Sequence, residues 1–148
     1  MNPKLTVMFD RKIGRRFYPL HRRMYTMTGG LIGHHSGMGP ILLLTTTGRR
    51  TGEARTTPLL YMPDGDDFVV VGSNGGRDQP PAWLLNLRAL PAATVQVRRQ
   101  RFQATAEVLD EAARQGLWPR LTDHYEGWSY YQTLTERDIP VVRLRPAR

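Results

Sequence analysis

The succession of apolar, β-branched and turn-forming segments predicts an α+β domain whose antiparallel strands curl into a closed or half-closed barrel, with helices at its corners. Three observations carry this expectation. Strand-like runs follow one another across tight turns, a connection only antiparallel neighbours can use. Helix-like stretches fall between groups of strands rather than after every strand, which disfavours a parallel βαβ sheet. A chain of 148 residues with 40% hydrophobic content suffices for one domain with a proper core, and is short for two.

The elements follow in order. Over residues 10–28, Ile13, Phe17, Leu20, Met24 and Met27 recur at spacings of three and four, with Asp10 as a candidate cap. Arginines fill the other face, so a basic amphipathic helix is expected, kinked or split at Pro19. Gly29-Gly30, Gly33, Gly37 and Gly39-Pro40 then mark a loose connection. Ile41–Thr47 and Arg55–Met62 read as strands on either side of Gly48-Arg49-Arg50-Thr51-Gly52. Pro63-Asp64-Gly65-Asp66 is a turn, and Phe68–Val71 completes an expected three-strand meander. The loop Gly72–Gly76 precedes a helix over Pro80–Leu90, whose stripe is Trp83, Leu84, Leu87 and Leu90. Thr94–Arg98 and Arg101–Leu109 form a hairpin. Asp110 caps a helix running to Leu117-Trp118, which Pro119 should interrupt. A short helix over Gly127–Thr135 and a strand over Val141–Leu144 close the chain. Residues 1–28 are thus an N-terminal helical extension, and 29–148 the barrel domain.

Charge is unevenly placed. Residues 1–60 carry ten basic groups against Asp10 and Glu53, whereas residues 61–148 carry eleven of each sign. The whole excess of +8 therefore lies early, as expected of a surface that faces an anion. Nineteen of the 21 cations are Arg, whose planar fork suits phosphate and carboxylate. With no cysteine, disulfides, thiolate catalysis and Cys-ligated metal centres are excluded. His34-His35 is a poor metal pair, since adjacent side chains diverge and no spaced partner follows, so no metal is expected. No run approaches the ~20 apolar residues of a membrane span, and the basic N-terminus lacks the apolar core of a secretory signal. A cytoplasmic protein is expected.

Three segments could carry chemistry. Thr45–Pro58 places Gly48, Gly52, three arginines and several hydroxyls between two strands. This is either a solvated basic turn or a cradle whose backbone N–H groups and guanidinia meet one anion. It is not a Walker loop, because Glu53 follows the second glycine and a strand comes next. Gly72–Gly76, with Trp83 and Asn86 shortly after, could let a flat ring or phosphate approach the backbone. Ser73 lacks a nucleophile elbow, because Val71 stands at the first glycine's place. Tyr125, Trp128, Tyr130 and Tyr131 form either helix packing or an apolar wall with donors at its tip.

Taken together and in order, these segments resemble the deazaflavin-dependent nitroreductase family, split-barrel proteins that use reduced coenzyme F420. The resemblance rests on Leu44–Gly52, Arg55–Leu59, Ser73 with Gly75-Gly76, Pro81–Leu87, Leu117–Leu121, and Tyr131-Gln132 leading to Ile139–Val142. It implies an FMN-binding-like split barrel of about six strands, and hydride transfer from reduced deazaflavin to a quinone, nitro compound or other conjugated electrophile. By position, Arg49, Arg50, Thr51, Arg55, Thr57 and Pro58 are implied as the cradle for the phosphate and polyglutamate tail. Ser73, Asn74, Gly75, Gly76, Ala82 and Trp83 are implied as the shell of ring and linker. Ser73, Tyr125 and Tyr131 are the candidates to wall the acceptor and donate a hydrogen bond. Asn74 stands where members often have lysine, and Leu60 where some have a substrate-facing tyrosine.

Other readings differ in testable ways. An FMN-dependent reductase on the same barrel would not need so many arginines, and an F420 carrier would bind without turnover. A basic nucleic-acid binder is disfavoured, because the cations are not interleaved with stacking aromatics. Residues 10–28 either dock on an anionic membrane or pack across the barrel mouth. A monomer or a homodimer would serve equally.

Overall fold

The computed structural model describes residues 39–147, the pair His35–Ser36, and Arg23. Apart from Arg23, the helix expected over 10–28 lies outside the described residues, as do His34 and most of the glycine-rich connection. The strands are β1 (His35–Ser36), β2 (Gly39–Thr47), β3 (Ala54–Leu60), β4 (Met62–Asp64), β5 (Asp67–Val71), β6 (Ala92–Val97), β7 (Gln100–Val108) and β8 (Val141–Pro146). The helices are α1 (Ala82–Ala89), α2 (Glu111–His124) and α3 (Gly127–Gln132), with one 3-10 turn at Asn74–Gly76.

All strand pairs are antiparallel. The sheet runs β1-β2-β6-β7-β8-β5-β4, with β3 also on β2. Six strands have five or more residues, matching the number expected; β1 and β4 are short additions. β3 and β4 belong to opposite ends of this order yet are separated only by Tyr61. One residue cannot cross a flat sheet, so the sheet must curl into a half-barrel.

The expected meander is corrected at this point. β5 pairs with β4 and β8, not with β3. Tyr61 breaks the line: its N–H donates to the Pro40 carbonyl at 3.1 Å, and its own carbonyl accepts from His124 Nε2 at 2.9 Å. Its ring is buried against Phe68, edge-on at 5.3 Å. The interruption of α2 at Pro119 is also corrected, since the helix continues to His124. Leu117 and Leu121 anchor it on either side of the proline, and Thr122 Oγ1 donates to the Trp118 and Pro119 carbonyls, both at 3.1 Å. The cap at Asp110 is as expected, accepting from the Ala113 N–H at 2.8 Å.

The period-two alternation of β2 sorts its side chains onto two faces. Leu42 and Leu44 enter the barrel interior with Val70, Val95, Val142 and Leu144, and α1 contributes Trp83, Leu84 and Leu87. On the other side of the sheet, Val69, Val71 and Val141 meet Leu117, Leu121, Trp128 and Tyr131 of α2 and α3. Arg143 and Arg120 close on Asp64 at 2.7 and 3.0 Å, tying α2 and β8 to the β4–β5 turn. Hydrogen bonds from Arg143 and then Arg120 hold the Asp64 carboxyl below the usual carboxylate range. These two layers fix what lies between: the β2–β3 turn and the loop after β5.

Candidate cofactor groove and glycine loop

The β2–β3 turn owes its shape to two backbone bonds, Gly48 N–H to the Glu53 carbonyl at 2.7 Å and Gly52 N–H to the Gly48 carbonyl at 2.8 Å. Gly52 has φ +74°, a conformation that favours glycine. The N–H groups of Arg50 and Thr51 have no acceptor among the described residues. Below the turn, Asn86 of α1 is buried and hydrogen-bonded through both its side-chain oxygen and nitrogen. Its Oδ1 accepts from Arg49 N–H at 3.1 Å and Arg49 Nη1 at 3.3 Å, while its Nδ2 donates to Thr46 Oγ1 at 3.1 Å. Arg55 is exposed and paired with Glu53 at 3.0 Å. Arg50 is exposed and has no ion-pair partner among the described residues.

Turn and helix together enclose an open groove of about 460 Å³. Of the residues singled out in the sequence, Arg49, Arg50, Thr51, Arg55, Thr57, Ala82 and Trp83 line it, joined by Gly48, Ala54, Thr56 and Asn86. Pro58 does not line it; it sits in β3 opposite Leu43. With an uncompensated guanidinium, a second engaged only by an exposed carboxylate, and free turn amides, the groove is suited to a polyanion.

Ser73, Asn74, Gly75 and Gly76 form a separate wall. Ser73 is in the right-handed helical region, whereas Asn74, Gly75 and Gly76 have φ of +48°, +64° and +76°. This succession of left-handed residues folds the loop tightly against α3. A Cβ on Gly76 would lie 2.8 Å from the Tyr131 carbonyl oxygen and 2.9 Å from Leu134 Cδ1. The Asn74 side chain donates to the Gln79 carbonyl at 2.9 Å. Arg137 binds the loop from behind, its Nη2 donating to the Gly72 and Ser73 carbonyls at 3.1 and 3.0 Å and its Nε to the Arg77 carbonyl at 2.9 Å.

Tyr131 is buried beneath this loop and Tyr125 is half-buried, with their hydroxyls 3.4 Å apart. Gly127 has no Cβ because the Tyr125 ring occupies that space. The tyrosines therefore belong with the glycine loop. α1 is shared, because Ala82, Trp83 and Asn86 face the groove while Leu84 touches Gly72.

Sequence reasoning set Asn86 beside the glycine loop, whereas the structure puts it under the arginine turn, and it gave Arg137 no role. Asn86 had a signal: it lies three positions after Trp83, a polar residue within the apolar stripe of α1. Arg137 had none, standing in an irregular connection without periodicity.

A family model for F420H(2)-dependent quinone reductases matches residues 17–146. An F420H(2)-dependent quinone reductase of Mycobacterium tuberculosis is 39% identical over 141 residues, which covers 91% of this chain and 93% of that protein. A putative F420H(2)-dependent quinone reductase of Mycobacterium bovis aligns with the same figures. Among solved structures, an F420-H2 dependent reductase superposes with a TM-score of 0.66 at 34% identity, covering 72% of this chain and 94% of its own. Another, described as a domain-swapped dimer, gives 0.68 at 31% identity over 86% of this chain and 94% of its own. With a family match extending from residue 17 to 146 and relatives similar along almost their full length, this chain belongs to the F420H(2)-dependent quinone reductase family.

Proposed function

We propose that this protein reduces a quinone with a hydride from reduced coenzyme F420, holding the coenzyme's anionic part in the β2–β3 groove and its ring beside the glycine loop. The observation that carries the assignment is the groove itself, about 460 Å³ beneath an exposed turn with three arginines. When bound, F420 supplies the hydride from its reduced ring. The chain's own work is to bind, orient and shield. Arg50, Arg55 and the Arg50 and Thr51 amides take phosphate and tail carboxylates, and Arg49 is held in place by Asn86. Thr57, Ala82 and Trp83 wall the linker, with Pro58 stiffening β3 behind them. Ser73, Asn74, Gly75 and Gly76 offer a close-fitting backbone surface to the ring. Ser73, Tyr125 and Tyr131 form the polar wall for the acceptor and offer it a hydrogen bond.

Two further parts of this reading concern place and assembly. No helix among the described residues is long and apolar enough to cross a membrane. Residues 10–28 are proposed as the segment that meets an anionic membrane surface from the cytoplasmic side, where a quinone is at hand. The relative described as a domain-swapped dimer supports a homodimer.

The test is loss of F420H2 absorbance when protein is mixed with a panel of quinones. Turnover with at least one quinone is expected. A protein that purifies yellow with FMN and ignores F420 would overturn the assignment, and tight F420 binding without turnover would make it a carrier. Alongside, Arg55→Ala should weaken F420 binding about tenfold, with kcat nearly unchanged, because the lost charge-assisted bonds lie far from the reacting atoms.

A further inference from the structure

The glycine loop is held from behind by a cation that no carboxylate pairs with directly among the described residues. Arg137 is half-buried, and its three directed bonds all go to main-chain carbonyls: Gly72 at 3.1 Å, Ser73 at 3.0 Å and Arg77 at 2.9 Å. It forms no ion pair among the described residues; Asp78 acts on it only at a distance and accepts instead from Thr135 Oγ1 at 2.9 Å. Burying a guanidinium against carbonyls alone is costly, and such an arrangement persists where the surroundings over-determine it.

The surroundings do so here. Gln132 Nε2 donates to the Arg137 carbonyl at 2.8 Å, and its Oε1 accepts from Ile139 N–H and Arg114 Nη2, both at 3.0 Å. Arg114 Nε donates to the Ile139 carbonyl at 2.7 Å, and its guanidinium rests over the Trp118 ring at 4.5 Å. The backbone carrying Arg137 is thus fixed to both α2 and α3.

The consequence for the loop follows from peptide geometry. Each peptide bond here is trans, so the N–H of a unit points away from its own carbonyl. Drawing the Gly72 and Ser73 carbonyls toward Arg137 turns the Ser73 and Asn74 N–H groups to the opposite side. Neither N–H has an acceptor among the described residues, although Ser73 is buried. A backbone donor left open at buried Ser73, with a second beside it at half-buried Asn74, awaits a partner.

We propose that Arg137 is a positioning residue of the reductase, setting the two peptide planes so that the Ser73 and Asn74 amides stand ready to donate to an oxygen of the bound ring or acceptor. The proposal rests on the reading that the glycine loop meets the ring. Arg137 touches neither ligand; it acts through the loop, and the guanidinium fork is needed because one side chain must reach three carbonyls.

The experiment compares the parent protein with Arg137→Gln and Arg137→Lys, using amide NMR of labelled protein, F420 binding by fluorescence, and steady-state kinetics. In the parent, F420 or a bound quinone should shift the Ser73 and Asn74 amide signals beyond those of other loop residues. In Arg137→Gln those shifts should vanish and kcat fall on the order of 10- to 100-fold. F420 affinity should stay within about threefold, since the arginine turn carries the anionic part. Arg137→Lys should recover part of kcat, because an ammonium reaches some of the carbonyls. Unmoved Ser73 and Asn74 amides in a parent that binds F420 and turns over would overturn the role of Arg137 while leaving the reductase assignment intact. Equal kcat in all three proteins would do the same. Failure of the parent to bind F420 would instead bring down the reductase assignment, and this role with it. The titration of the parent stands even if Arg137→Gln does not fold.

Discussion

The arginine turn after β2 and the glycine loop after β5 flank the same helix, yet they are built on opposite principles. In the turn the groups proposed to bind are side chains: Arg49, Arg50 and Arg55 are exposed, and one buried residue, Asn86, steadies Arg49 from below. In the loop the surface proposed to meet the ring is main chain, packed against α3 and bound from behind by half-buried Arg137. A charge-based cradle tolerates a floppy, variable ligand, as a tail of carboxylates would be. A shape-based wall suits a rigid ring, and it has little room for error.

Two glycines put this difference to the test with the largest expected effect. Gly52 in the turn and Gly76 in the loop have nearly the same φ, +74° and +76°. Nothing lies within 4 Å of a Cβ on Gly52, whereas one on Gly76 meets the Tyr131 carbonyl at 2.8 Å. Gly52→Ala should therefore cost only the backbone conformation, about 1 kcal/mol. Gly76→Ala adds a steric clash with main chain and should cost about 3 kcal/mol or more. Denaturant midpoints of the two variants measure it. Equal losses would mean that the loop can shift away from α3, and its description as a fitted wall would be wrong.

The next effect in size concerns the strut beneath the turn. Asn86→Ala removes the acceptor of Arg49 and leaves the buried Thr46 hydroxyl without its donor. A stability loss of about 2 kcal/mol is expected from that unsatisfied group. F420 affinity should fall several-fold as Arg49 loses its fixed direction. Calorimetric melting and fluorescence titration separate the two consequences. If affinity alone were unchanged, the turn would be holding its shape without α1.

How much of this was legible in the sequence depends on which principle each region uses. The arginine turn stood out because its glycines, cations and hydroxyls are contiguous and its flanking strands are β-branched. The six longer strands were legible for the same local reasons, and so was the Asp110 cap. The bend at Tyr61 was not, because Arg55–Met62 reads as one uninterrupted strand. Only the pull of Pro40 and His124, distant in sequence, breaks it. Pro119 misled in the opposite sense, since the packing of Leu117 and Leu121 outweighs one lost hydrogen bond. In the loop, the glycines were visible but their clamp was not. Arg137 lies more than sixty residues away from Gly72 and Ser73, as the chain separations of those bonds show.

The smallest expected effect isolates charge in the turn from everything else. Glu53 Oε2 lies 3.0 Å from Arg55 Nη2, and both side chains are well over half exposed. An ion pair so hydrated contributes about 0.5 kcal/mol or less, so Glu53→Gln should leave the melting temperature almost unmoved. Its effect on binding has another origin. Glu53 holds Arg55 as a carboxylate of the chain's own, and an incoming carboxylate or phosphate must take its place against a like charge. Removing that charge should tighten F420 binding about two- to threefold at low ionic strength, and the gain should fade as salt approaches the concentration at which exposed charges are screened. The Arg137→Gln variant should show no such salt dependence relative to the parent, because it alters peptide orientation rather than charge at the groove. Were Glu53→Gln to bind F420 no better than the parent in dilute buffer, Arg55 would not be the group that receives the tail.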